Sequence, residues 1–244
     1  MTVDDDLQAR ALQAMDAHLA RQPAEALDDT HALRGAVLVM DAVDGDILAC
    51  AARDRDGVVD PRACWEEHDL RPGSTFKMVV ALAALEGGLI GPEDTYYCPG
   101  HLEVSDRRFH CWKRVGHGHV NLEKSLRESC DVYYYELALE LGIEKISSMA
   151  SRLGLGERLD IPMSAVASGL NPTKQWKREA RGQDWVIGDT VNSAIGQGYV
   201  LASPLQLAVM TARIASGRAV TPRLIKKVNG IEQPDGAGDS LGLN

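Results

Sequence analysis

The chain has 244 residues, a formal net charge of −9 and a hydrophobic content of 45%. This length and composition indicate one large globular domain, because so many apolar residues can bury a sizeable core. The acidic balance excludes a nucleic-acid partner, since phosphate recognition requires a basic surface. No apolar run reaches the ~18 residues of a membrane span and no signal-peptide pattern opens the chain, so we expect a soluble chain without its own anchor.

The first elements in chain order are a helix and a strand hairpin. Residues 4–21 carry apolar side chains at helical spacing, which predicts an amphipathic helix. Residues 35–41 and 47–52 are apolar and flank an Asp-Gly turn signal, which predicts two antiparallel strands in the centre of a sheet. Residues 53–70 are charged and irregular, so we expect a loop there.

A serine and a lysine stand three residues apart in the stretch Arg71-Pro72-Gly73-Ser74-Thr75-Phe76-Lys77. The apolar run that follows predicts a buried helix, and three residues of spacing put Lys77 on the same helical face as Ser74. Burial removes water from a lysine and favours its neutral form, which makes Lys77 a candidate general base for a serine nucleophile. Backbone N–H groups at a helix start also suit a developing oxyanion. Taken alone, such a pair is more often only a helix cap beside a solvated lysine.

The second half of the chain is mostly helical. Residues 95–120 form an irregular region that is rich in Gly, His, Cys and aromatic residues. Beyond it, the pattern predicts helices over 121–127, 132–141, 143–153, 171–177 and 205–216, a strand over 223–228, and a Gly-rich tail from 230. This order predicts an α+β or mixed α/β domain whose sheet takes strands from both chain ends.

A second motif, Ser129-Cys130-Asp131, begins 55 residues after Ser74. Acyl-serine enzymes that bind β-lactams combine SxxK with Ser-Asp-Asn and Lys-Thr-Gly. Further matching stretches are Trp112-Lys113, Gly116-His117-Gly118, Gly188-Asp189-Thr190, Gly196-Gln197-Gly198-Tyr199 and Ser203-Pro204. In this order and spacing, nearly the whole chain resembles the transpeptidase domain of the penicillin-binding protein 2 family, which cross-links peptidoglycan during cell elongation.

The resemblance implies a penicillin-binding transpeptidase fold, related to serine β-lactamases, with a sheet flanked by helices. It also implies a serine-type D-Ala-D-Ala transpeptidase or carboxypeptidase that acts on peptidoglycan stem peptides. Ser74 would attack the D-Ala-D-Ala carbonyl and pass the acyl group to an amine, and β-lactams would inhibit by acylating it. Lys77 would be the base, Ser129 would relay a proton, and Asp131 would lie near Lys77.

The resemblance extends to the surroundings of the site. The turn formed by Gly196, Gln197 and Gly198 would bind substrate, because small residues permit close backbone approach. The parent protein would lie at the periplasmic face of the bacterial inner membrane, and elongation-complex membrane proteins would be its partners.

Two departures from the family pattern stand out. Asp131 replaces an amide, and an ionised carboxylate favours protonated Lys77. In addition, no Lys-Thr-Gly or Lys-Ser-Gly follows Gly198 in the sequence. In the family that motif lines the site, so we expect residues 1–244 to form a transpeptidase domain that is incomplete at its C-terminal end and has little or no cross-linking activity. Acylation of Ser74 by a fluorescent penicillin at the rate of a full-length relative would contradict this expectation.

The five cysteines are an odd number, which excludes a complete disulfide framework within the chain. Four potential ligands are separated by 13, 6 and 13 residues: Cys98, Cys111, His117 and Cys130. Three thiolates and an imidazole form a tetrahedral zinc set, so the sequence predicts one structural zinc ion in a loop over residues 95–130. Because Cys130 lies inside the second motif, this metal would fasten the loop to Ser129.

Other interpretations of these residues stay open. Cys98 and Cys111 could form a disulfide, or the cysteines could be unconnected and His117 solvated. The competing nitrogen ligands are His101, His110 and His119. Cys50 fits a small residue within a strand and Cys64 fits a loop thiol.

Two alternative functions also remain. Ser-Thr-Phe-Lys resembles class D β-lactamases as well, but such an enzyme needs a way to activate water for deacylation. A lasting acyl-enzyme would favour the transpeptidase, whereas nitrocefin turnover would favour the β-lactamase. The absence of a third motif would also fit a non-catalytic module that binds peptidoglycan or an elongation partner.

Overall fold

The computed structural model describes residues 1–21, 33–54, 60–66 and 70–243, which fall into two compact units. The first unit comprises Met1–Leu70, Leu153–Gly169 and Ala202–Leu243, and the second comprises Arg71–Arg152 and Leu170–Leu201. Among the described residues, no helix combines the length and the apolar character needed to cross a membrane.

The described residues form helices and strands that occur in runs along the chain. The helices are α1 (Asp5–Leu19), α2 (Ala63–Glu66), α3 (Lys77–Glu86), α4 (Leu122–Arg127), α5 (Asp131–Leu141), α6 (Ile143–Arg152), α7 (Lys174–Arg181), α8 (Ile187–Ala194) and α9 (Pro204–Ser216). The strands are β1 (Leu33–Met40), β2 (Ile47–Asp54), β3 (Tyr96–Cys98), β4 (His101–Val104), β5 (Arg107–His110), β6 (Gly118–Val120), β7 (Lys227–Val228) and β8 (Ile231–Glu232).

In the first unit, helices cover both faces of the hairpin formed by β1 and β2. These strands pair antiparallel, which confirms the predicted hairpin. Successive residues of a strand point to opposite faces. Ala49 and Ala51 accordingly pack with Met15 of α1, whereas Ala52 packs in a cluster with Leu205 of α9. Because helices cover both faces, the central residues of the two strands, 35–40 and 47–52, carry no charged side chain.

The predicted strand over residues 223–228 is wrong. Only Lys227–Val228 form a strand, which pairs with Ile231–Glu232. The turn between them is Asn229-Gly230, with φ of 50° and 81°. An Asn-Gly pair with two positive φ angles is a strong hairpin signal, and it directs the pairing locally rather than toward the sheet. Arg223 makes a single bridge to Asp46.

Cys50 and Cys64 form a disulfide in the first unit, which corrects the prediction of a loop thiol at position 64. Cys64 lies on the short helix α2, within the region that was expected to be a loop. Residues 55–59 and 67–69 of that region lie outside the described residues. Both cysteines are buried in the cluster that contains Ile47 and Trp65.

In the second unit, α3 and α5 form the buried centre. Val79, Val80, Tyr133, Tyr134 and Leu137 are all fully buried. Helix α3 begins at Lys77 and helix α5 begins at Asp131, directly after Cys130. The two sequence motifs therefore meet because each one lies at the N-terminus of one of two buried helices.

Several local predictions for the second unit need correction. The region over 95–120 is not irregular, because β3 pairs with β6 and β4 with β5. Strands of three or four residues are too short to show alternation in the sequence. The helix expected over 171–177 begins later, at Lys174, because the Thr173 hydroxyl caps it by accepting from the Trp176 N–H. Helix α8 was not predicted.

Candidate active site and cysteine cluster

Ser74 lies on a 3-10 turn, Gly73–Phe76, that leads directly into α3. Its side chain is exposed, whereas Lys77 is buried at the first position of the α-helix. The turn begins at Gly73 with a φ of +56°, a backbone conformation that glycine adopts without steric cost. The nucleophile candidate is thus presented to solvent while the base candidate stays in the protein interior.

Lys77 is connected to Ser74 through Ser129. Its Nζ donates to the Asp131 Oδ1 at 2.6 Å, the Ser129 Oγ at 3.0 Å and the Ser129 carbonyl at 2.9 Å. The Ser129 Oγ in turn donates to the Ser74 Oγ at 2.9 Å. The lysine side chain is 1% exposed, and its three N–H donors are all used by these acceptors. The spacing predicts that Lys77 reaches Ser74 directly. In the structure the Ser129 hydroxyl lies between them and hydrogen-bonds to both.

Ser129 adopts a left-handed conformation, with a φ of +51°. A non-glycine residue in this region is strained by roughly 1–2 kcal/mol, and such strain persists only where surrounding contacts hold it. The Trp112 indole N–H donates to the carbonyls of both Glu128 and Ser129, at 3.0 and 3.1 Å. The Trp112 backbone N–H donates to the Asp131 Oδ2 at 2.8 Å. In the sequence, Trp112 matches the family pattern but carries no signal of these contacts.

The glycine turn after α8 contacts the Ser74 turn. The Gly73 N–H donates to the Gly196 carbonyl at 3.0 Å. A Cβ at Gly196 would lie 2.1 Å from the Gly73 carbonyl oxygen, so only glycine fits. Gln197 and Gly198 follow on the exposed side. The structure thus brings Gly196, one of the three predicted turn residues, into contact with the turn that carries the nucleophile candidate.

The four predicted metal ligands form one buried cluster. The ligand atoms of Cys98, Cys111, His117 and Cys130 all lie within 4.8 Å of one another, and the three cysteines are free. The His117 Nδ1 is 3.5 Å from the sulfurs of both Cys98 and Cys111. The three competing histidines are not in this group, which is the one such cluster found among the described residues. The structure likewise does not pair Cys98 with Cys111 in a disulfide.

The cluster fits a tetrahedral zinc ion. Bond lengths of about 2.3 Å to sulfur and about 2.0 Å to nitrogen separate neighbouring ligand atoms by about 3.5 Å, which is the spacing around His117. Two tight turns allow the ligands to converge. A Cβ at Gly100 would lie 2.1 Å from the Arg114 carbonyl oxygen, and one at Gly116 would lie 2.3 Å from that of Cys98. The His117 Nε2 is buried and has no hydrogen-bond partner among the described residues.

A hydrogen bond joins the thiols of Cys111 and Cys130. The hydrogen bond with Cys130 lowers the pKa of Cys111 to about 5, and backbone N–H groups at residues 113, 131 and 132 act in the same direction against burial. That hydrogen bond and burial raise the pKa of Cys130. A thiolate surrounded by N–H donors is the form of cysteine that binds soft metal ions.

Comparison with known proteins identifies the family. Residues 35–239 match the family described as penicillin binding protein transpeptidase domain. The chain belongs to this family. It is 34% identical over 221 residues to the peptidoglycan D,D-transpeptidase MrdA of Haemophilus influenzae, a match that covers 81% of this chain and 34% of the relative. For MrdA of Acinetobacter baumannii, the identity is 32% over 222 residues, with 81% and 33% covered.

Solved structures of the transpeptidase family share the fold. Pseudomonas aeruginosa PBP2 in complex with WCK 5153 has a TM-score of 0.80 and 32% identity, covering 98% of this chain and 56% of that one. PBP2 of Helicobacter pylori in complex with MreC has a TM-score of 0.76 and 34% identity, covering 97% and 45%. These similarities confirm the predicted fold and the resemblance to penicillin-binding protein 2. The chain spans about a third of the length of the curated relatives it matches.

Replacing Gly196 by alanine should lower the rate at which a penicillin acylates this transpeptidase domain about 100-fold. The added Cβ cannot be accommodated against the Gly73 backbone, so the Ser74 turn must move, and displacements of about 1 Å can cost that much. Gly182→Ala is the matched control, because its φ is also positive, at +62°, but a Cβ there would meet nothing within 4 Å. We expect G182A to stay within about fivefold of the unmodified chain. The measurement is the rate of labelling by a fluorescent penicillin. Equal losses of labelling rate in both variants would contradict the claim that contact between Gly196 and Gly73 positions the Ser74 turn.

Proposed function

We propose that this chain carries the acyl-transfer machinery of a peptidoglycan D,D-transpeptidase, with Ser74 as nucleophile. The observation that carries the proposal is the hydrogen-bonded array from Ser74 through Ser129 to Lys77. A serine hydroxyl becomes nucleophilic when a base removes its proton, and within the described part of the chain the cationic side chain that contacts Ser129 is the buried Lys77. We propose D-Ala-D-Ala stem peptides as the substrate class, and the similarity to peptidoglycan D,D-transpeptidases supports it.

In the acylation step, the Ser74 oxygen forms a bond to the substrate carbonyl carbon while its proton passes to Ser129. Ser129 simultaneously transfers its own proton to neutral Lys77, so that no net charge is created at the serine pair. The bond to the terminal D-alanine then breaks, and its nitrogen takes up a proton from the array. Acyl transfer to an amine repeats these proton movements in reverse, with the amine in place of D-alanine.

In the structure Lys77 donates to Ser129 and Ser129 donates to Ser74, which is the direction in which a proton travels to reach the leaving nitrogen. Asp131 supports this arrangement, because its carboxylate accepts from the lysine at 2.6 Å. The lysine and the carboxylate therefore act as a coupled pair.

We further propose that one structural zinc ion is bound by Cys98, Cys111, His117 and Cys130. Zinc would supply no open coordination position and therefore no direct chemistry. Its effect would be mechanical, because Cys130 lies between Ser129 and Asp131 and Cys111 directly precedes Trp112. Fixing these two ligands would hold the peptide segments that carry the proton relay.

We also propose a cellular location, a partner and a class of inhibitors for the parent protein. Relatives that act on peptidoglycan support a location at the periplasmic face of the inner membrane for the parent protein, and the Helicobacter pylori PBP2–MreC complex supports an elongation-complex protein as partner. β-Lactams are the expected inhibitors, because they acylate the same serine as the substrate does in this family.

A fluorescent penicillin tests the proposal directly. We expect slow, covalent labelling of the folded chain, complete loss of the label in Ser74→Ala, and an adduct that survives removal of free reagent for many minutes. Thr75→Ala is the control, since its hydroxyl is exposed on the same turn and donates only to the Pro72 carbonyl. Label that persists in S74A would overturn the assignment. Rapid release with nitrocefin turnover would favour a β-lactamase, and no label at all would favour a binding module.

A further inference from the structure

The Trp112 indole lies at the edge of the proposed relay, and the acyl-transfer steps do not use it. Its side chain is 62% exposed, which is unusual for the largest apolar residue type. Its position is nevertheless fixed at three points. The indole N–H donates to two carbonyls, the backbone N–H donates to Asp131, and the ring edge packs on His117 with centroids 5.5 Å apart.

The two carbonyls that accept from the indole belong to the two peptide groups on either side of the Ser129 Cα. The Glu128 carbonyl is part of the preceding peptide group, and the Ser129 carbonyl is part of the following one. The orientation of these two planes sets φ and ψ of Ser129, and φ and ψ set the direction in which its Cβ and Oγ point. A single N–H donor therefore restrains both dihedral angles of the relay residue.

This restraint matters because the conformation of Ser129 is intrinsically unfavourable. At a φ of +51°, the backbone would relax toward negative φ if its contacts were lost. Lys77 also donates to the Ser129 carbonyl, on the following peptide group. On the preceding peptide group, the Ser129 N–H donates to the Leu126 carbonyl at a long 3.3 Å, and the indole adds a shorter bond of 3.0 Å to the Glu128 carbonyl. Of these three donors, the indole is the one that contacts both peptide groups.

We propose that Trp112 is a positioning residue that holds Ser129 in the left-handed conformation from which its hydroxyl bridges Ser74 and Lys77. This inference rests on the proposed function, since it concerns the efficiency of the same proton relay. It assigns the indole an effect on the rate of the chemical step and none on the affinity for the acylating reagent.

The test compares Trp112→Phe with Trp185→Phe. Phenylalanine keeps an aromatic ring but removes the indole donor, and it leaves the Trp112 backbone N–H to Asp131 unchanged. Trp185 is the matched control, because its indole N–H donates to the Thr190 hydroxyl at 2.8 Å in the same unit and does not touch Ser129. Benzylpenicillin is the probe, and its concentration dependence separates the dissociation constant of the first complex from the rate constant of acylation.

For W112F we expect the acylation rate constant to fall about tenfold while the dissociation constant changes less than about twofold. For W185F we expect both constants to stay within about twofold of the unmodified chain. Equal acylation rate constants in W112F and W185F, or a loss confined to affinity, would overturn the inference.

A double-mutant comparison protects the test against a general loss of stability. If Trp112 acts through Ser129, adding W112F to Ser129→Ala should lower the residual acylation rate less than about twofold, because the group that it positions is gone. The same tenfold loss in both backgrounds would contradict a positioning role. Label that persists in S74A would instead refute the proposed function itself, so the two failures are distinguishable.

Discussion

Replacing Lys77 by methionine is expected to lower the rate of penicillin acylation about 1,000-fold, since a general base contributes about 100- to 10,000-fold. Methionine is close to the lysine stem in length and removes only the amine. The loss should be large because Lys77 is the cation that contacts Ser129 and, through Ser129, Ser74. The Lys77 side chain is only 1% exposed, so water has little access to replace the amine. The measurement is the second-order rate constant for labelling by a fluorescent penicillin.

The K77M variant needs a control for folding, because it leaves the Asp131 carboxylate buried without its cation. Such a change can destabilise a protein by about 3–5 kcal/mol. The double variant K77M/D131N removes the unpaired charge and should recover most of the melting temperature without recovering acylation. Recovery of both together would contradict the role of Lys77 as base and would assign it a structural role instead.

Removal of zinc is expected to have the second large effect. The purified chain should contain about one zinc ion, and the His117→Ala variant should contain little. If zinc is bound as proposed, metal removal should lower the melting temperature by on the order of 10 °C, because a structural zinc ion contributes several kcal/mol to the folded state of a protein. Acylation of Ser74 should fall as well, because the ligands Cys111 and Cys130 flank the groups that hold Ser129.

The control for zinc binding is His119→Ala. This histidine is two residues from His117, but its side chain is exposed and contacts the ring of Tyr97. The variant should keep its zinc and its melting temperature. The zinc proposal would be contradicted by a metal-free unmodified chain in which Cys98 and Cys111 are oxidised to a disulfide.

The parts of the fold that the sequence predicts well are those with strong local signals. Helix α9 begins at Pro204 after a Ser203 cap that forms a capping box with Gln206, and it ends at Gly217 in the left-handed conformation. The strands β1 and β2 are long enough to show their apolar character on both sides of the turn. In each of these cases the residues that decide the structure are neighbours in the sequence.

The parts that the sequence does not predict depend on contacts between distant residues or on weak propensities. Helix α8 contains glycine, threonine and asparagine within eight residues, which are poor helix formers. The pairing of Cys50 with Cys64 cannot be deduced from spacing, because five cysteines allow many connectivities.

The same distinction applies to the candidate site. The spacing of Ser74 and Lys77 predicts that they share a helical face, but it cannot show that Ser129 enters between them from the turn between α4 and α5. The four metal ligands could be named from residue type, whereas their convergence required the fold. Trp112 has no local signal at all, because its role comes from carbonyls 16 and 17 residues away.

The most direct test of the acyl-serine account is peptide mapping of the chain after prolonged exposure to benzylpenicillin. If Ser74 is the nucleophile and Lys77 its base, we expect one penicilloyl adduct per chain, located on the peptide that contains Ser74 and strongly reduced in K77M. An adduct on any other residue, or a chain that stays unmodified at a saturating concentration of the reagent, would contradict it.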